Sequence, residues 1–106
     1  MYKAEEYTYR VFWSEEDKAF ASTVVEFPGL SNIDEDRTAA LDGMAGLLAF
    51  VLEDMEAKKE KTPTPLGKRH YSGKISLRMS PEQHRRVAME AAEQGVSINQ
   101  LLVSRV

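Results

Sequence analysis

The 106-residue chain has no cysteine, so neither a disulfide framework nor a thiolate metal site is open to it. No apolar run comes near the roughly 20 residues needed to cross a bilayer, and the opening Met1-Tyr2-Lys3-Ala4-Glu5-Glu6 lacks the apolar stretch of a signal peptide. The expectation is a soluble cytoplasmic protein with no membrane partner. There is no phosphate-binding glycine loop, nucleophile elbow or dinucleotide fingerprint. The two histidines, His70 and His84, have no partner at metal-ligand spacing. Metal-dependent nuclease chemistry needs several carboxylates converging on one cation. Here Glu15-Glu16-Asp17 fall in a turn, and Glu26, Asp34 and Asp36 lie near strand ends. We therefore expect no catalytic residue, no metal, no cofactor and no enzyme.

Charge is divided along the chain. Residues 1–60 carry 6 Lys/Arg against 14 Asp/Glu, a net of −8, whereas residues 61–106 carry 8 against 3, a net of +5. Such asymmetry points to two surfaces with different partners. The basic half suits phosphate, and the acidic half suits a basic protein. Between them, residues 62–73 hold two prolines and two glycines without a hydrophobic period, which marks a linker.

In the front half, Tyr7–Trp13 is rich in aromatic and branched residues and predicts a strand. Ser14–Lys18 is a polar turn, and Ala19–Val25 is the hairpin partner. Phe27–Ser31 is expected to turn, with a short third strand near Leu30–Asp34. Asp36 suits an N-cap for a helix from Arg37 to about Lys59. Leu41, Met44, Leu48, Val51 and Met55 recur at spacings of three and four, predicting the face that lies on the sheet. Gly43 and Gly46, costly in a helix interior, are expected to allow close approach to the strands.

In the back half, Lys74-Ile75-Ser76-Leu77-Arg78-Met79 alternates polar and apolar. Alternation at period 2 predicts a strand with Lys74, Ser76 and Arg78 on one face. Two cations flanking a hydroxyl suit the major groove, where lysine and arginine donate to guanine. Ser80 to Gln83 forms a capping box with Pro81 at the first helical position. The helix runs to about Gln94, where Gly95 ends it. Ser97 caps a second helix from Ile98 to the end of the chain, whose free donors near Ile98 and Asn99 suit phosphate. A strand and two helices this short cannot bury an adequate core alone. A second copy is expected to complete it, by antiparallel pairing of residues 74–79 across a two-fold. The resulting two-stranded ribbon is the size that enters a major groove.

Gly73-Lys74-Ile75-Ser76-Leu77-Arg78-Met79-Ser80-Pro81-Glu82 and Gly95-Val96-Ser97-Ile98-Asn99-Gln100-Leu101 resemble a ribbon-helix-helix repressor of the Arc/MetJ type. Trp13–Asp17, Phe27–Ser31 and the ensuing helix resemble the N-terminal domain of HicB antitoxins. In this order the two likenesses cover nearly the whole chain. The resemblance implies an α+β fold: a small antiparallel sheet with one long helix, partially ribonuclease-H-like, then a ribbon-helix-helix dimerisation domain. It implies a toxin-binding domain over residues 1–61, a linker over 62–73 and a DNA-binding domain over 74–106. Its implied partners are operator DNA, a second copy of the chain and a HicA-like toxin, a small ribonuclease with a catalytic histidine. Whether two dimers join is left open.

By that resemblance Lys74, Ser76 and Arg78 read bases, and Ser97, Ile98 and Asn99 clamp phosphate. The implied function is an antitoxin that neutralises the toxin by binding it and represses its own operon. The final helix is shorter than the fold leads one to expect. A stand-alone ribbon-helix-helix regulator with a sensing or protein-binding front domain is the alternative. An intrinsic nuclease is disfavoured by the missing acidic constellation.

Overall fold

The computed structural model describes residues 1–106 and divides into two compact units, Met1–Tyr71 and Ser72–Val106. The first unit is a three-stranded antiparallel sheet of β1 (Tyr9–Ser14), β2 (Ala19–Val24) and β3 (Phe27–Asp34) in that order, followed by the long helix α1 (Arg37–Ala57). This is the α+β arrangement expected of the front half. Pairing of Tyr9 with Val24, Val11 with Ser22 and Trp13 with Phe20 puts these six side chains on one face of the sheet.

Helix α1 lies against that face. Asp36 caps it, its carboxylate accepting from Ala39 N at 2.9 Å. Ser22 Oγ donates to the Ala40 carbonyl at 2.6 Å, and Asn32 Nδ2 donates to the same oxygen at 3.0 Å. Both hydroxyl and amide are thereby satisfied under the helix, where an unpaired polar group would be costly. The core gathers Tyr7, Val24, Met44, Leu48 and Leu52, with Tyr2, Tyr9, Phe27 and Leu30 packed around it.

Three expectations need correction. The buried stripe of α1 is Ala40, Met44, Leu48 and Leu52, not one beginning at Leu41, which is 38% exposed. Close docking on the Ser22–Asn32 pair leaves room for a methyl group and no more. Gly43 does sit against a strand, since a methyl group there would collide with the Asn32 amide, but Gly46 faces open space. Phe27 and Pro28 belong to β3 rather than to a turn; Val24 pairs with Phe27, and the register then slips so that Thr23 pairs with Ser31. Pro28, lacking a backbone donor, falls in that irregularity on an edge strand, where no ladder bond is forfeited.

Residues 62–71 are fastened to the first unit. Pro65 is fully buried, Tyr7 Oη donates to the Pro63 carbonyl at 2.7 Å, and Leu66 N donates to the Glu26 carboxylate at 2.8 Å. Lys68 pairs with Glu6 at 3.0 Å, and Arg69 Nε donates to the Thr64 carbonyl. The stretch expected to be a plain tether therefore serves as a strap over most of its length.

The second unit holds α2 (Pro81–Gln94) and α3 (Ile98–Val103). Both begin with complete capping boxes, Ser80 with Gln83 and Ser97 with Gln100. Gly95 ends α2 in the left-handed conformation at φ +69°. The final helix stops at Val103 instead of running on. No helix of the chain is long and apolar enough to cross a membrane.

Candidate nucleic-acid interface

Residues 74–79 form no strand in the single chain, and the backbone of residues 75–79 makes no backbone hydrogen bond. A strand exists only through its partner, and none is offered within the unit. Lys74, Ser76 and Arg78 are all exposed. So are the apolar residues between them, Ile75 at 93% and Leu77 at 64%, while Met79 is half-buried. Exposed apolar side chains scattered singly are ordinary; two alternating along one unpaired segment are not.

Behind this segment the unit is thinly packed. Its fully buried hydrophobic residues are Ala91 and Leu101 alone. An apolar cleft of about 820 Å³ is lined by Ile75, Leu77, Met79, Ile98, Leu102 and Val103. Arg78 and Asn99 line it too, so a proposed base reader and a proposed phosphate ligand border one cavity. A shallower hollow of about 490 Å³ lies beside Leu77, Met79 and Val87. Apolar lining left open to water on this scale is surface whose burial by a partner is favourable.

At the start of α3 the capping box leaves a defined pair of free donors. Gln100 N donates to Ser97 Oγ at 3.0 Å, and Ser97 N donates to Gln100 Oε1 at 2.9 Å. Leu101 N donates to the Ser97 carbonyl at 3.0 Å. The N–H groups of Ile98 and Asn99 are not consumed by the box, in keeping with the unpaired donors of any helix start. Glu90 and Arg105 form an ion pair linking α2 to the segment after α3.

The structural boundary alters the charge division. Counted within Ser72–Val106, five Lys/Arg stand against three Asp/Glu, a net of +2; Met1–Tyr71 carries nine against fourteen, a net of −5. Lys61, Lys68 and Arg69 belong to the first unit, so the second is less basic than the halves of the sequence imply. His70 and His84 are exposed, and no group of three or more acids and histidines is placed to hold a metal.

Residues 56–106, a little under half of the chain, match the model of the HicB family. No curated protein matches the chain. No solved structure matches it.

Proposed function

We propose that the chain is the antitoxin of a HicA/HicB-like pair, neutralising a small ribonuclease by binding it and repressing its own operon as a ribbon-helix-helix dimer. The observation that carries the DNA-binding part is the unpaired segment 74–79. Its exposed Ile75 and Leu77 border an unfilled apolar cleft, on a unit with two buried hydrophobic residues. A second copy aligned antiparallel satisfies the free backbone groups and sets both apolar faces over both clefts. Lys74 and Ser76 then project from the opposite face as base readers, and Arg78, which borders the cleft in the single chain, turns out to join them on pairing. The donors of Ile98 and Asn99, with Ser97 as the cap, take the flanking phosphates.

The family match over residues 56–106 supports the toxin-antitoxin assignment, and the acidic first unit suits a basic, RNA-binding partner. The test is to express the chain with the product of the adjacent reading frame and follow RNA integrity. Cleavage by that product, stopped by equimolar addition of this chain, is the expected result. A product that leaves RNA intact removes the toxin from the account.

One observation favours a second reading. The match begins at residue 56 and leaves the sheet and most of α1 outside it. A stand-alone regulator, with the front unit binding another protein or a small ligand, fits that pattern. It is distinguished by operator binding that persists where no toxin gene adjoins.

A further inference from the structure

The face of the sheet turned away from α1 breaks the usual pattern of antiparallel sheets, which bury one face and show polar residues on the other. Cross-strand pairing places Arg10, Thr23 and Ser31 in one row of that face, polar as expected. The next row is Phe12, Ala21 and Ile33, apolar on all three strands. Phe12 is 43% exposed and Ile33 49%, with Ala21 between them. Ala21, flanked by these two larger side chains, is itself buried at 7%.

The same register fixes what borders it. Ser14 pairs with Ala19 and Phe20 with Asp34, so the turn after β1 and the end of β3 lie at one end of the sheet. That end carries Glu15, Glu16, Asp17, Asp34, Glu35 and Asp36. The nearby cations are engaged: Lys18 pairs with Glu15, and the Arg37 guanidinium stacks over Phe20 at 5.3 Å from the ring centroid. Asp34, Asp36 and Asp17 bond to the local backbone or Ser14, which leaves Glu16 and Glu35 without intramolecular partners.

We infer that the row Phe12–Ala21–Ile33, with its acidic end, is the surface on which the first unit docks a basic protein. The partner's identity as a toxin rests on the proposed function; the position and chemistry of the surface do not. Apolar anchors beside unpaired carboxylates suit a partner that brings lysines or arginines next to its own apolar residues. A second copy of this chain fits poorly, since a two-fold contact presents six acids from each side and only Arg10, in the neighbouring row, to meet them. Nucleic acid is disfavoured by the unit's net charge of −5.

The test places a photo-reactive phenylalanine analogue in the full-length chain at Phe12, at Ile33 or, as a control on the outer face of α1, at Phe50, which is 68% exposed. Cells of the native host are irradiated and adducts identified by mass. The expected result is one protein with an isoelectric point above about 9, captured from Phe12 and Ile33 and about tenfold less from Phe50. Glu16→Lys with Glu35→Lys should lower that yield about fivefold, since both reverse the charge at the acidic end. Strongest capture from Phe50, an acidic partner, a second copy, the chain's own residues 72–106, or no adduct would each overturn the proposal. A captured basic protein without ribonuclease activity would leave the surface standing and remove the toxin reading. Capture of a ribonuclease through Phe50 alone would do the reverse. The analogue at Phe12 is nearly isosteric, so failure to fold does not confound the comparison.

Discussion

The hydroxyl of Tyr7 donates to the carbonyl oxygen of Pro63 at 2.7 Å, joining a residue two positions before the first strand to a strap 56 positions later. Tyr7 also packs edge-on against Phe27, with ring centroids 5.2 Å apart, and burial pushes its phenol above the ordinary tyrosine value. Tyr7→Phe keeps the ring and leaves the Pro63 carbonyl without its donor. A loss of about 1 kcal/mol in urea unfolding is expected. An unchanged midpoint would show that the strap is not held by this bond.

Glu26 supplies the pH dependence of the same strap. Burial alone would raise its pKa, but backbone donors from Leu66 and Thr8, with the Thr8 hydroxyl, outweigh it and hold the carboxyl below the ordinary glutamate value. A group depressed in the folded state adds stability above its unfolded pKa and loses it as pH falls through the lowered folded value. Glu26→Gln should therefore be less stable than the parent at pH 7. The difference should shrink on acidification below the ordinary carboxylate range. Urea midpoints across that range check it, and a difference that grows toward acid would contradict the assignment.

The two helix glycines should respond oppositely to alanine. Gly46 faces open space, so Gly46→Ala should stabilise by about 0.5–1 kcal/mol through helix propensity. At Gly43 the new methyl meets the Asn32 amide, which is bonded to the Ala40 carbonyl. Gly43→Ala should fall about 1 kcal/mol or more below Gly46→Ala, since the gain is offset by a disturbed hydrogen bond. Thermal denaturation of the pair decides it.

Operator binding separates reading from anchoring. Arg78→Ala should cost about 1–3 kcal/mol on the specific operator and relax preference at one base position, with little loss on random DNA. Equal weakening on both would move Arg78 to the phosphates. Asn99→Asp, which sets a negative charge beside the proposed clamp, should weaken binding to all sequences alike. Titrations on operator and scrambled duplexes at two salt concentrations measure both.

Local chemistry was legible wherever a residue acts on its near neighbours. Asp36, Ser80 with Gln83, Ser97 with Gln100, and Gly95 each mark a helix boundary where the structure has one. The β1–β2 hairpin follows from its aromatic and branched runs around a polar turn. Positions set by distant contacts were not legible. Ala40 displaces Leu41 from the buried stripe because Ser22 and Asn32 approach the helix there, and no helical period encodes that. Pro65 is buried, and Leu66 is held by Glu26, from the far side of the sheet in sequence, so the strap passed for a linker. Lys74–Met79 has the period of a strand but no intrachain partner, which is why one chain displays the alternation without the ladder.

Sedimentation equilibrium of the full-length chain, beside its Leu77→Asp variant, tests most directly whether two tails share one core. The parent should sediment at twice the 12.0 kDa of a single chain, and the variant at 12.0 kDa with operator binding lost and the first unit still folded. A parent that stays at 12.0 kDa at micromolar concentration, or a Leu77→Asp variant that still dimerises and binds operator, would contradict the account.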